Sequence, residues 1–197
     1  MWNKNKPKTD DKTVSKGEAG FTLVEAVVAI LLLTIGLIGT AAAITYALEF
    51  GSISRNVSSG KAFVVASIEE VETLRNARRL KFRQFGNVGN VNNTGATNPF
   101  NGFSVGFKEV STEPGRDGVN GTDDDLIHKG ADNVWGTADD FVNESFIRSG
   151  FERQIEITNL SDSLKRVEIR IRYMGRAGKI GEIGGVSYLN DEARMTY

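Results

Sequence analysis

The sequence predicts an α+β fold in which one long N-terminal helix covers an antiparallel sheet. Three observations predict it. Phe21 to Leu48 carries a single charge, Glu25, and no proline interrupts the chain between Pro7 and Pro99. Val64, Ile68, Val71 and Leu74 then recur at spacings of three and four, the stripe of an amphipathic helix. From Phe103 onward apolar residues alternate instead, as in strands with one wet face.

The first element is long enough to cross a membrane. Residues 21–48 as a helix span roughly 42 Å, against a hydrocarbon core of about 30 Å. A carboxylate within such a segment needs a partner or a proton, so Glu25 is a functional candidate by its position alone. Gly36, Gly39 and Gly51 are the weak points, each costing about 1 kcal/mol relative to alanine. An amphipathic continuation is expected over residues 51–85, with Glu69, Glu72, Arg75, Arg78 and Arg79 on a solvated face.

Gly86 to Gly102, rich in Asn and Gly, reads as a loop. Phe103, Val105 and Phe107 are expected to share one strand face, and Ile155 and Ile157 to belong to another strand. Asn159 to Ser163 supplies a hairpin turn. Beyond it Val167, Ile169, Ile171 and Tyr173 point one way, and Arg166, Glu168, Arg170 and Arg172 the other. The apolar side of this sheet needs a cover, and the helix stripe supplies one.

Residues 16–25 read Lys-Gly-Glu-Ala-Gly-Phe-Thr-Leu-Val-Glu, followed by the uncharged run. This resembles the class III signal of type IV pilins and type II secretion pseudopilins. The resemblance implies cleavage between Gly20 and Phe21 by a prepilin peptidase and N-methylation of Phe21. It also implies a pilin fold, and pairing of Glu25 with the α-amino group of a neighbouring subunit during assembly. An ordinary secretory signal is cut after its apolar stretch; here the small-residue junction precedes it, so the helix stays on the mature chain. Residues 1–20 carry Lys4, Lys6, Lys8, Lys12 and Lys16 against Asp10, Asp11 and Glu18, which places them in the cytoplasm by the positive-inside rule.

The organisation expected is a leader over 1–20, a membrane or filament-core helix over 21–50, its continuation over 51–85 and a β-rich head over 86–197. Ala66 to Asn76 resembles the second half of the long helix in PilV-type minor pilins and, less closely, I-type pseudopilins of type II secretion. That implies a minor type IV pilin, an assembly subunit in the inner membrane and then in a filament; an I-type pseudopilin of a type II secretion pseudopilus is the alternative, and a DNA-uptake or adhesion module on the same anchor a further one. Its partners would be other minor and major pilins or pseudopilins, the prepilin peptidase and, before assembly, inner-membrane lipid. Many major pilins carry a disulfide and a helix-kinking proline; this chain has no cysteine, and Ala41-Ala42-Ala43 stand where that proline would be.

A second signal is an internal repeat. Asp117-Gly118-Val119-Asn120-Gly121-Thr122-Asp123-Asp124-Asp125 is echoed fifteen residues later by Asp132-Asn133-Val134-Trp135-Gly136-Thr137-Ala138-Asp139-Asp140, each followed by an apolar pair. Seven aspartates crowd this insertion, residues 115–142, with Arg116 and Lys129 as its fixed positive charges. Such self-repulsion is relieved by a hard cation taking six to eight oxygens, which makes calcium the expected ligand, with a structural role. Asp117, Asn120, Asp123, Asp124, Asp125, Asp132, Asn133, Asp139 and Asp140 are its candidate ligands. The pattern lacks the spacing and terminal glutamate of an EF-hand; it resembles Asp/Gly/Thr-rich calcium loops of bacterial surface proteins, and type II secretion major pseudopilins use a calcium loop in a similar region. Asp, Asn and Gly are also ordinary turn formers, so a plain polar insertion gives the same composition.

Other functions find less support. Without residues 1–20 the balance is 19 Lys and Arg to 22 Asp and Glu, so no general attraction draws nucleic acid to the chain. Glu168 interrupts the arginines of the last predicted strand, and pairing with Glu152 or Glu156 across strands accounts for them. There is no cysteine nucleophile, no histidine pair and no Gly-x-Ser-x-Gly elbow, so no enzyme activity is expected. The single histidine, His128, is given no role.

Overall fold

The computed structural model describes residues 20–175 and 178–191. The leader up to Ala19, with all its lysines, lies outside the described residues. One α-helix, α1, runs from Leu23 to Asn76. Strands follow at Lys108–Ser111 (β1), Ile127–His128 (β2), Phe141–Val142 (β3), Ile147–Ser161 (β4), Leu164–Met174 (β5) and Ile180–Asn190 (β6). The chain divides into two compact units between Tyr46 and Ala47.

In the first unit α1 is apolar and its side chains are exposed, and it is long and apolar enough to cross a membrane. Its few hydroxyls are spent on the helix itself. Thr34, Thr40 and Thr45 donate to the carbonyls of Ile30, Gly36 and Ala41 at 2.7, 3.1 and 3.0 Å. A hydroxyl satisfied this way costs little in an apolar surrounding.

In the second unit the helix stripe does what its spacing predicts. Val64, Val71 and Leu74 are buried, with Ile68 partly so. They pack on the apolar face of a four-stranded antiparallel sheet of order β1-β4-β5-β6. Val167, Ile169 and Ile171 of β5, Ile155 of β4 and Leu189 of β6 supply that face. The arrangement is α+β and pilin-like, as expected. Helix and sheet approach closely at Gly185, where a Cβ would sit 2.6 Å from a Val64 methyl. Asn56 donates to the Met174 carbonyl at 2.8 Å, and Ser187 to Glu72 at 3.0 Å, so Glu72 is a tether to β6 rather than a purely solvated charge.

Two expectations need correction. The helix stops at Asn76, short of residue 85. Arg78 turns left-handed at φ 54°, and the Arg79 and Arg78 N–H groups close on the Leu74 and Arg75 carbonyls at 3.0 and 2.9 Å. This is the Schellman closure, which usually takes glycine; here it carries Leu80 and Phe85 into the core. A single 3₁₀ turn, Phe82–Gln84, follows. Phe103, Val105 and Phe107, secondly, do not share a strand face. Phe103 is buried and makes one isolated bridge to Asn87, while Val105 is exposed. Ser104 is drawn off to the acidic insertion, its N–H to Gly121 at 2.8 Å and its hydroxyl to Asp123 at 2.6 Å. The regular strand, β1, starts only at Lys108.

The arginine face of β5 is neutralised within the sheet. Arg170 meets Glu156 at 3.1 Å, Arg172 meets Glu182 at 3.1 Å, and Arg166 meets Glu168 at 2.8 Å. The Arg172 guanidinium also lies 3.5 Å above the Phe107 ring. Glu152, opposite Arg172 in register, is not its ion-pair partner.

Candidate functional site

The acidic repeat folds as two copies of one loop. In the first, the Asp117 N–H donates to Asp124, the Val119 N–H to Asp117 and the Gly121 N–H to Asp125, at 3.1, 2.8 and 2.7 Å. In the second, the Asp132 N–H donates to Asp139, the Val134 N–H to Asp132 and the Gly136 N–H to Asp140, at the same three distances. Thr122 donates to Asp124 at 2.6 Å and Thr137 to Asp139 at 2.7 Å. Left-handed backbone recurs at equivalent places, Gly118 and Asn133, then Gly121 and Gly136. Ile127, from the apolar pair that closes the first copy, and Phe141-Val142, which close the second, meet in the β2–β3 ribbon, with Ile127 opposite Val142 and His128 opposite Phe141.

The copies differ in what surrounds them. The first is docked: Val119 is in the core, and Asn120 donates through its N–H and its amide to Glu70 of α1 at 3.0 and 2.9 Å. Arg79 reaches the Gly118 carbonyl, and buried Arg153 pairs with buried Asp125 at 3.1 Å while touching Ser67. Burial pushes the Asp117 carboxyl up to about 6, with Asp124 and Asp125 adding to the rise against the Val119 N–H. Burial also raises Asp125 and lowers Arg153 from their ordinary values. In the exposed second copy the Thr137 hydroxyl and the Asp132 N–H hold Asp139 below the usual carboxylate range.

Of the candidate ligands, Asp117, Asp124 and Asp125 converge on Thr122, and Asp132 and Asp139 on Thr137, with Asp140 beside them on the Gly136 N–H. Asp123 turns away toward Ser104 and Lys108, and Asn133 serves through its backbone. One oxygen in each copy, Asn120 Oδ1 and Asp140 Oδ1, is buried without a hydrogen-bond partner. Among the described residues no group of three or more His, Cys, Asp or Glu is placed to hold a metal ion; most of these carboxylates face backbone N–H groups. His128 stacks on Phe146 with ring centres 4.8 Å apart, a packing role in β2.

The N-terminal candidates form a second, separate group. Gly20 and Phe21 precede α1 and are exposed. A Cβ at Gly20 would meet nothing within 4 Å, so the fold itself does not require glycine there. Thr22 caps the helix, accepting the Glu25 N–H on its hydroxyl at 3.3 Å. Thr-Leu-Val-Glu is therefore the capping-box spacing, in which an acid at the third helical position also suits the positive end of the helix dipole. Sequence reasoning missed the Thr22 cap, although the four letters carry it. Residues 15–41 match the family described as the prokaryotic N-terminal methylation motif.

The chain carries a prepilin-type methylation motif. The matched stretch contains the Gly20-Phe21 junction, the Thr22 cap, Glu25 and the first part of the apolar helix. It ends within α1, so the methylation motif characterises the N-terminus and not the head. No curated protein and no solved structure matches the chain.

Proposed function

We propose that the protein is a minor type IV pilin of the PilV type, an assembly subunit anchored in the inner membrane before it enters a filament. The methylation motif carries the reading, because it stands at the head of an apolar helix that continues into an α+β head. In this reading a prepilin peptidase cuts between Gly20 and Phe21, a glycine that the fold does not need. Phe21 is then N-methylated, and Glu25 pairs with the amino terminus of a neighbouring subunit. The same motif suits an I-type pseudopilin of type II secretion, the second reading.

Calcium is the proposed structural ligand of the acidic loops. The donors are hard oxygens, Asp117 and its neighbours repel one another, and each copy leaves one buried oxygen unsatisfied. Binding would turn carboxylates from N–H groups toward the ion.

The test is made on the membrane-extracted chain and on sheared filaments. N-terminal mass analysis is expected to give a methylated Phe21. Glu25→Ala is expected to leave cleavage and insertion intact while reducing recovery in filaments. A mature start after Leu48 ends the pilin reading, and undiminished recovery of the variant makes Glu25 a passenger. Co-isolation with a pilus-tip complex favours the first reading, and with a secretin complex the second.

A further inference from the structure

The four-stranded sheet ends in two edges of opposite character. β1 offers four residues, begins with Lys108 and slips register between Glu109 and Ser111. Short length, a lysine and a bulge are the devices by which sheets refuse an added strand. β6 has none of them. It runs from Ile180 to Asn190, holds unbroken register with β5 from Met174↔Ile180 to Leu164↔Asn190, and contains no Lys, Pro or bulge. Among the described residues no strand pairs with its other side.

Its solvent face is apolar, with Ile180, Val186 and Tyr188 at 69%, 49% and 56% exposure. The one charge there, Glu182, is already matched to Arg172 and Arg170 at 3.1 and 3.7 Å. Gly184 presents no side chain between Glu182 and Val186, and the Arg170 stem lies beside it, 3.4 Å from where a Cβ would be. Inside the sheet the Tyr173 ring lies over Gly181, 2.4 Å from where a Cβ would be.

We infer that β6 is a strand-addition site, and that its occupant is an uncharged, antiparallel edge strand of a different prepilin-type subunit. The inference rests on the pilin reading given above. Charge decides the chemistry: with Glu182 neutralised, neither a basic nor an acidic strand gains by lying beside β6, whereas an apolar or aromatic one covers Ile180, Val186 and Tyr188. A second copy of this chain is excluded as occupant in both orientations. Set side by side in the same orientation, it would offer β1, which is short and bulged. A two-fold β6–β6 pairing would instead run the two α1 helices in opposite directions, whereas subunits anchored in one membrane run the same way. One open edge and one blunted edge make a subunit that accepts a neighbour's sheet on one side only.

The chain has no cysteine, so Tyr188→Cys and Lys108→Cys each give the full-length protein a unique thiol. Both are cross-linked with a thiol-directed photoprobe in membranes and in sheared filaments, and the linked peptides are sequenced. The expected product joins position 188 to an uncharged strand of another chain bearing a prepilin-type N-terminus, with none from position 108. Added to Tyr188→Cys, the pair Ile180→Lys and Val186→Lys is expected to lower that product by about tenfold or more, as a charged edge should, with the melting temperature unchanged. A homodimer, equal products from both positions, or insensitivity to the lysines overturns the inference. Products that appear only when residues 192–197 are deleted also overturn it, since the edge then serves the chain's own end. N-terminal mass read on the same samples separates the two failures. Processed chain without a product at 188 sinks the edge alone; unprocessed chain sinks the pilin reading beneath it.

Discussion

The two acidic loops share a sequence pattern and most of their internal hydrogen bonds, yet one is part of the core and the other stands in water. Gly115 and Gly130 open them, and each is a place where a Cβ would collide with the aspartate that closes its loop, Asp124 or Asp139. Local chemistry therefore makes two equal turns. Val119 is 2% exposed and its counterpart Val134 54%, because only the first copy finds Glu70, Arg79 and Arg153 beside it. The difference teaches that the motif specifies a conformation, while its energetic weight comes from the neighbours.

The comparison breaks most sharply at the arginines. Arg153→Met leaves Asp125 buried without its partner and is expected to cost about 3–5 kcal/mol, read as a urea midpoint shift of the detergent-solubilised chain. Arg116, which lies beside Gly136 in the second copy, is expected to tolerate the same change within about 0.5 kcal/mol. Equal costs would show that docking of the first loop contributes nothing.

Calcium sharpens the comparison next. A ligand bound only by the folded chain stabilises it by about 2.7 kcal/mol at a hundredfold excess over Kd. The effect is expected to be lost with Asp124→Asn more than with Asp139→Asn, and magnesium is expected to substitute poorly. It also depends on pH through Asp117, whose folded-state value of about 6 lies above its ordinary 3.8. The folded chain thus holds this proton more tightly than the unfolded one. Without calcium, Asp117 favours folding below pH 4 and loses that contribution as pH rises toward 6. Asp139 runs the other way, contributing above its ordinary range and losing that contribution only as pH falls below it. Melting curves with chelator and with millimolar calcium, at pH 5 and pH 7, are expected to differ more at pH 7. Identical curves at both would reduce the repeat to a polar insertion.

The smallest contrast is at the hydroxyls. Thr122 is buried and serves Asp124, Asp125 and the Val119 carbonyl, so Thr122→Val is expected to cost about 1–3 kcal/mol by stranding those acceptors. Thr137 makes similar bonds in water, and its replacement is expected to cost about 0.5 kcal/mol or less. Chemical denaturation of the two variants measures the gap, and a second-copy cost as large as the first would deny that burial sets the weight.

Much of this molecule is legible in its letters, because the decisive patterns are local. The apolar run, the 3–4 stripe of Val64, Val71 and Leu74 and the alternation of β5 each follow from one element needing to bury one face. Thr22 and Glu25 spell a cap, and the repeat spells two equal turns. What could not be read depends on contacts between residues far apart in the chain. The helix ends at Asn76 because Leu80 and Phe85 are wanted in the core, which lets Arg78 take a conformation its own sequence disfavours. Phe103 leaves its apparent strand because Ser104 bonds to Gly121 and Asp123. No strand is read from the sequence at β6, whose Gly181, Gly184 and Gly185 supply no side chains to alternate, yet it forms a full strand in which Tyr173 covers one glycine and α1 presses on another. The sequence by itself determined the long apolar N-terminal helix, its cap, the helix-on-sheet class and the duplicated loop, all of which rest on short-range periodicity and backbone chemistry. Only the tertiary structure decided which loop is buried, which aspartate has its pKa raised by burial and which sheet edge is long and regular, since those depend on desolvation and on partners tens of residues away.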